Sequence, residues 1–158
     1  MWKLGCTVLV TAFLVGIFSA AQETTTTSAP STIVPMLMDL NNKTKSEVES
    51  ILTDQNLSQQ TMYAKLDAIF ANQTEKKRAQ YEATKAAFQE ATDELEAQHA
   101  LQIKNASAAT QAADSIIRSI ARNETLTTLQ INRAILEVYF AQTPEVQTEL
   151  NQYAIFKS

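Results

Sequence analysis

The sequence has very few of the residues that chains use for tight turns and crosslinks. Its 158 residues include two glycines, three prolines, one cysteine and one tryptophan. Both glycines, the cysteine and the tryptophan lie before residue 17, and neither glycine nor proline occurs over residues 36–143. A β-protein of that length needs turn residues with positive φ, whereas helices do not. These absences predict an all-α fold without disulfides, large enough to be stabilised by its own core.

The N-terminal residues have the features of a secretory signal peptide. Lys3 precedes an apolar run, and small residues at positions 19–21 precede a cleavage point after Ala21. The apolar run is about 11 residues long, shorter than the roughly 20 that a membrane span needs. We therefore predict a signal peptide at 1–21, a flexible Thr/Ser/Pro-rich tail at 22–35 and one helical domain at 36–158.

The charge and the hydropathy of the chain restrict its partners. The formal net charge is −4 and the sequence pI is about 5.0. A mildly acidic chain is a poor match for nucleic acid or an anionic membrane surface. No second apolar run follows the first, so we predict no membrane span. Together with the signal peptide and the acidic charge, this predicts a secreted protein with no nucleic-acid partner.

Apolar residues recur at helical spacing in five segments, and a short last helix follows. The third segment is the longest, running to about Lys104 over roughly 30 residues, or about 45 Å. Its apolar seam is narrow, so one side faces water; the seam consists of Tyr81, Phe88 and Leu95. Polar residues suited to N-caps precede four segments, and a proline opens the last helix: Ser58, Thr74, Ser107, Thr127 and Pro144.

The chain contains an internal repeat with an offset of 69 residues. Leu57 and Ser58 align with Leu126 and Thr127, and the apolar positions on either side also align. These aligned pairs are Val48 with Ile117, Ile51 with Ile120, Met62 with Ile131, Leu66 with Ile135, Ile69 with Val138, and Phe70 with Tyr139. We predict a compact bundle of five to six helices, with two helix–loop–helix repeats joined by a long central helix. Each apolar stripe is expected to pack on the other repeat or on the long helix.

The loop of the first repeat carries the best candidate metal ligands. Asp54, Asn56 and Ser58 alternate oxygen-bearing side chains, as the start of a calcium-binding EF-hand loop does. That loop also needs glycine at position 6 and glutamate at position 12, where this chain has Gln59 and Lys65. The loop therefore departs from a standard calcium EF-hand at two positions. The residues are either weak cation ligands, or turn formers followed by a helix cap.

The second copy of the loop is a poorer match. Its oxygen-bearing residues are Asn123, Thr125 and Thr127, so it starts without a carboxylate. On the long segment, a cluster of carboxylates is either a solvated face or a weak cation site; it consists of Glu90, Asp93, Glu94 and Glu96.

No catalytic residue can be assigned from the sequence. His99 is the only histidine, and the one cysteine, Cys6, lies in the predicted signal peptide, so His99 has no partner for a transition-metal site. No nucleophile–base pair can be assembled with it. We therefore predict that the protein is not an enzyme.

The most specific local motif is the N-glycosylation sequon. Five occurrences of N-x-S/T without proline fall at predicted loops or helix ends. Their asparagines are Asn42, Asn56, Asn72, Asn105 and Asn123. Behind a signal peptide, these positions predict a glycoprotein.

Residues 47–150 resemble the nematode SXP/RAL-2 family, also called the Ani s 5-like cation-binding domain. The resemblance is carried by VESILTDQNLSQQTMYAKLDAIFANQ, KRAQYEATKAAFQEA, SAATQAADSIIRSIARNETLT and TPEVQTEL, in that order. Phe70 stands where such proteins often have tryptophan. The resemblance implies a calmodulin-like arrangement of helices in a secreted or surface antigen or allergen. It also implies divalent-cation binding, of Mg²⁺ rather than Ca²⁺, and brings no catalytic residue.

These observations predict a secreted, non-enzymatic helical binding or antigen protein. It is expected to bind Mg²⁺ weakly and to interact with a macromolecular partner such as a host protein. The alternative is a carrier of small apolar ligands such as fatty acids, in which the stripes enclose a cavity. Displacement of a fluorescent fatty acid separates the two hypotheses.

Overall fold

The computed structural model describes Leu37 and residues 40–154, and the described part is all-α. Its six helices are α1 (Asn42–Thr53), α2 (Gln59–Ala71), α3 (Glu75–Gln102), α4 (Ala108–Ala121), α5 (Thr128–Phe140) and α6 (Pro144–Tyr153). A short 3-10 turn, Ile103–Asn105, links α3 to α4. No strand occurs in this part of the chain. The predicted fold class is confirmed, while the predicted signal peptide and tail lie outside the described residues.

The helices begin where the sequence places their caps. Ser58, Ser107 and Thr127 each accept a hydrogen bond from the backbone N–H three residues later. The cap of α5 is reciprocal, because Gln130 also reaches back to the backbone N–H of Thr127 at 2.9 Å. Thr74 lies at the start of α3 without a capping bond from its side chain. These caps satisfy N–H groups that a helix start leaves without intrahelical partners.

The internal repeat is confirmed by reciprocal hydrogen bonds between the two loops. Ser58 and Thr127, which are equivalent in the repeat, form an isolated antiparallel bridge. Gln60 N donates to Glu124 O at 3.1 Å, and Leu129 N donates to Gln55 O at 3.2 Å. Gln60 is equivalent to Leu129 in the repeat, and Gln55 is equivalent to Glu124. The two bonds are therefore the same contact, made once from each unit to the other. The first unit (α1, loop 1 at 54–58, α2) and the second unit (α4, loop 2 at 123–127, α5) therefore pair through equivalent loops.

The first unit packs on the N-terminal half of α3. The buried cluster comprises Leu37, Leu40, Val48, Met62, Leu66, Phe70 and Tyr81. Phe70 is 1% exposed, and its ring stacks on that of Tyr81 with centroids 4.3 Å apart. Phe88 packs against the same cluster one heptad further along α3. The prediction that a repeat packs on the long helix is confirmed for this unit.

The second unit has a core of its own. The buried cluster comprises Ala113, Ile117, Ile131, Ile135, Val146 and Leu150, from α4, α5 and α6. The prediction that this stripe packs on the other unit or on α3 is wrong, because α6 folds back and supplies Val146 and Leu150. Ile116 is also misplaced by the sequence pattern: it is 49% exposed, since it lies about 100° around α4 from the buried Ile117.

Within Leu37 and residues 40–154, no helix combines the length and the apolar character that a membrane crossing needs. The calmodulin-like arrangement of helices that the resemblance implies stays a prediction.

Candidate cation-binding loops

Loop 1 is organised by hydrogen bonds from its own side chains. Asp54 Oδ1 accepts from Asn56 N at 2.9 Å and from Asn56 Nδ2 at 3.3 Å, which closes an Asx turn. Ser58 Oγ accepts from Thr61 N at 3.2 Å and shares a 2.9 Å hydrogen bond with Thr61 Oγ1. Asp54 and Asn56 are exposed, whereas Ser58 is buried. The three candidate ligands therefore have structural roles, and two of them still face solvent.

Loop 2 adopts the same conformation with an amide in place of the carboxylate. Asn123 Oδ1 accepts from Thr125 N at 3.1 Å and from Thr125 Oγ1 at 2.7 Å. Leu126 N donates to Asn123 O at 3.2 Å, the same distance as from Leu57 N to Asp54 O. Because asparagine closes this turn as aspartate does, the charge of Asp54 is not needed to hold loop 1.

The loop residues do not fit a calcium cage. Calcium takes six to eight oxygen ligands, but Asp54 Oδ1 and Ser58 Oγ already bind backbone N–H groups. Over Leu37 and residues 40–154, no group of three or more His, Cys, Asp or Glu side chains is placed to hold a metal ion. Mg²⁺ is different, because it keeps several waters and is often held by one or two carboxylates. An exposed Asp54 beside Asn56 fits a hydrated Mg²⁺.

The carboxylates of α3 are dispersed rather than convergent. Gln89 donates to Asp93 at 3.0 Å and Gln98 donates to Glu94 at 3.2 Å, both along the same helix. Glu96 accepts from Arg122 Nε at 2.9 Å, across to the end of α4. This stretch therefore has the contacts of a solvated helix face and of a link to α4.

His99 belongs to a buried polar cluster that the sequence did not predict. Its Nε2 lies 2.7 Å from Asp114 Oδ1, and Asp114 Oδ2 accepts from Arg118 Nε at 2.9 Å. His99 and Asp114 are 6% and 5% exposed. His99 Nδ1 is buried and has no hydrogen-bond partner among the described residues. Because the ring is closed off from solutes, the cluster joins α3 to α4 rather than forming a site open to substrate.

Two features of the sequence agree with this cluster in retrospect. His99 continues the α3 seam four residues beyond Leu95. Asp114 lies three residues before Ile117, on the buried side of α4. Helical spacing places His99 on the inner face of α3 and Asp114 on the inner face of α4. It does not predict that these two faces are in contact.

Glu149 joins α6 to the first turn of α4. Its Oε2 accepts from Ser107 N at 3.1 Å, and from Ser107 Oγ and Thr110 Oγ1 at 2.5 Å each. The bonds from the side chains of Ser107 and Thr110, and then from the Ser107 backbone, lower the pKa of Glu149. Thr110 is fully buried at this contact.

Asp67 joins α2 to α3 in the first unit. Its Oδ1 accepts from Tyr81 Oη at 2.7 Å and from Lys85 Nζ at 3.0 Å. The Tyr81 hydrogen bond, followed by the Lys85 ammonium, lowers the pKa of Asp67. Burial and then the Asp67 carboxylate raise the pKa of Tyr81. Lys85 Nζ also lies 5.4 Å from the ring centroid of Tyr63, within cation–π distance.

The five sequon asparagines all lie on the exposed surface. They occupy the first turn of α1, loop 1, the end of α2, the 3-10 turn and loop 2; these are Asn42, Asn56, Asn72, Asn105 and Asn123. Their occupancy by glycans stays a prediction.

The fold and its paired loops define an all-α protein built from two copies of one helix–loop–helix unit. The family model described as SXP/RAL-2 family protein Ani s 5-like, metal-binding domain, matches residues 5–155. The chain belongs to this family, and the resemblance is confirmed. Comparison with curated proteins gives no match, and comparison with solved structures gives none either.

Proposed function

We propose that this is a secreted, non-enzymatic binding protein that takes a divalent cation weakly at loop 1, with Mg²⁺ preferred over Ca²⁺. The observation that carries the proposal is the difference between two otherwise equivalent loops. Loop 1 opens on the exposed carboxylate of Asp54, whereas loop 2 opens on the amide of Asn123. The description of the family as a metal-binding domain supports the same class of ligand.

The geometry of loop 1 accounts for weak binding and for the choice of ion. A cation there would keep most of its water and gain the carboxylate of Asp54 and the neighbouring oxygen of Asn56. Mg²⁺ tolerates this environment because it gives up its waters reluctantly, whereas Ca²⁺ needs more protein oxygens. We expect an affinity of about 1 mM, at the weak end of the range for extracellular cation-binding modules.

A titration of the protein from Gln22 onward with MgCl₂ and CaCl₂ tests the proposal, with amide NMR shifts as the readout. We expect saturable shifts over residues 54–58 with Mg²⁺ and smaller shifts with Ca²⁺. Asp54→Asn should abolish them while leaving the loop folded, because Asn123 shows that asparagine supports the same turn. Asp93→Asn is the matched control, since it removes one exposed carboxylate whose side-chain hydrogen bond is to Gln89 on the same helix.

Two results of this titration would contradict the proposal. One is an Mg²⁺ response that survives Asp54→Asn. The other is a set of shifts spread over all carboxylates without saturation, which indicates general screening of charge. The reverse exchange, Asn123→Asp, is expected to give loop 2 a response that it lacks in the native chain.

We do not extend the proposal to a carrier of apolar ligands. The stripes that would line a cavity pack instead into two buried clusters, in which Phe70 and Val48 are almost fully enclosed. A fluorescent fatty acid should therefore show no saturable binding. The macromolecular partner that we propose, such as a host protein, would meet the outer surface of the helices.

A further inference from the structure

We propose that the protein carries N-linked oligosaccharides at the ends of its helix hairpins, and that two of them lie within the paired loops. The modified atoms would be Nδ2 of Asn42, Asn56, Asn72, Asn105 and Asn123. This inference rests on the secretion proposed above, because the oligosaccharide is transferred in the secretory pathway. It does not depend on cation binding.

The reaction needs an exposed carboxamide in an N-x-S/T sequence and a lipid-linked oligosaccharide diphosphate. Nδ2 of asparagine forms a bond to C1 of the sugar, and the bond from C1 to the diphosphate oxygen breaks. The lipid diphosphate leaves, and Nδ2 gives up one of its two protons to a base. Each of the five asparagines is exposed, so the folded protein has room for the product at every one.

The described chain has three other asparagines: Asn41 caps α1 and has no sequon, and the other two make an internal comparison. Asn132 and Asn151 lie inside α5 and α6, and neither is followed by serine or threonine two positions later. Asn151 Nδ2 instead donates to Tyr139 Oη at 2.8 Å. The sequons therefore coincide with loops, turns and helix ends, and Asn132, inside α5, has none.

The hydrogen bonds of the loops survive the linkage. Asn123 is held through Oδ1, which accepts from Thr125, so its nitrogen is not the atom that closes the turn. Asn56 Nδ2 donates one bond to Asp54, and Asn72 Nδ2 donates one bond to Ala68 O at 3.0 Å. A linked asparagine keeps one N–H, so each of these single bonds can persist.

The positions divide the surface into covered ends and uncovered sides. Asn56 and Asn123 lie in loops 1 and 2, which are hydrogen-bonded to each other, so two glycans share that end. Asn42 and Asn72 lie at the start of α1 and the end of α2, away from loop 1. No sequon lies within α5 or α6. A protein partner would therefore meet the sides of the helices, and a small cation would still reach Asp54.

Secretion of the full chain from cultured eukaryotic cells tests the proposal. The mass of the chain from the medium is compared before and after peptide-N-glycosidase treatment, which converts each linked asparagine to aspartate. We expect a large loss of mass and aspartate at all five positions. Asn123→Asp and Asn56→Thr should each remove one glycan without disturbing the turn, because Asp54 and Thr125 occupy the equivalent positions. Asn132→Asp is the matched control and should leave the loss of mass on peptide-N-glycosidase treatment unchanged.

The outcomes separate this inference from the proposed function. A secreted chain with unmodified asparagines overturns the glycan sites and leaves secretion standing. A chain that is retained in cells but still glycosylated supports the sites and contradicts secretion. A chain that is neither secreted nor glycosylated overturns both.

Discussion

The two helix–loop–helix units share one backbone design but are attached to the long helix by different forces. The first unit packs on α3 through the stacked rings of Phe70 and Tyr81, with Asp67 also bonded to Tyr81 and Lys85. The second unit contacts α3 through polar groups, with Asp114 bonded to His99, and Arg122 to Glu96. The repeat in sequence therefore determines the loop and the helix pair of each unit. The contacts of each unit with α3 depend on residues that the repeat does not share.

This difference follows from where each unit completes its core. The first unit is followed directly by α3, the long helix itself, which supplies Tyr81 and Phe88. The second unit is followed directly by α6, which closes its core with Val146 and Leu150. Because apolar burial is nondirectional and ion pairs need fixed geometry, the two attachments should respond differently to substitution.

The largest expected effect is at the stacked rings. Phe70→Ala should lower the free energy of unfolding by about 3–5 kcal/mol, because it removes an aromatic ring from a filled core. The equivalent change in the second unit, Tyr139→Ala, should cost about 1–2 kcal/mol, since Tyr139 is half-buried. Urea unfolding followed by circular dichroism measures both, and equal losses would contradict the asymmetry.

Loss of the buried carboxylate comes next. Asp114→Ala should lower the free energy of unfolding by about 2–4 kcal/mol, because it leaves the His99 ring and Arg118 without their acceptor. Glu96→Ala at the more exposed pair with Arg122 should cost at most about 1 kcal/mol. The double variant His99→Leu with Asp114→Leu should recover much of the loss, because apolar replacement of a buried pair is often neutral. A double variant with a lower free energy of unfolding than either single variant would contradict a stabilising role that the two side chains exert as a pair.

The fall in stability at low pH compares one carboxylate from each side of the molecule: Asp67 joins α2 to α3, and Glu149 joins α6 to α4. The pKa of Asp67 and that of Glu149 are lowered in the folded chain, from ordinary values of 3.8 and 4.5. Each carboxylate therefore stabilises the fold above its ordinary pKa, and that stabilisation is lost as pH falls through the lowered value. Asp67→Asn and Glu149→Gln should both flatten the fall in stability below about pH 4.5. Urea midpoints from pH 6 to pH 2.5 measure this, and Glu137→Gln serves as the exposed control.

The smallest effect is expected from exchanging the first residues of the two loops. Asp54→Asn and Asn123→Asp should each change the free energy of unfolding by less than about 0.5 kcal/mol. The turn should persist in both cases, because aspartate already closes it in loop 1 and asparagine already closes it in loop 2. Thermal unfolding without divalent cations measures the change, and a loss above about 1 kcal/mol would show that the loops are not interchangeable.

Sequence reasoning identified the parts of this fold that depend on local chemistry. It used the absence of glycine and proline, the caps at Ser58 and Thr127, and the repeat. All of these can be read directly from the sequence, and the structure confirms the helices, both caps and the repeat. The contact between Glu149 and Ser107 spans 42 residues and has no local pattern. The return of α6 onto α4 and the meeting of His99 with Asp114 likewise depend on how faces pack, which helical spacing does not specify. The candidate ligands lie in the segment between α1 and α2, and their hydrogen bonds to the backbone are visible only in three dimensions.

The most direct test of the paired loops is amide hydrogen exchange at Gln60 and Leu129, the two donors that cross between them. The measurement compares the protein in EDTA with the protein in saturating MgCl₂. We predict that both amides are protected in EDTA to a similar degree, and that Mg²⁺ adds protection within loop 1 alone. Unprotected amides in EDTA that become protected together on adding Mg²⁺ would show that a cation holds the two loops in place, and would contradict a pair organised by its own hydrogen bonds.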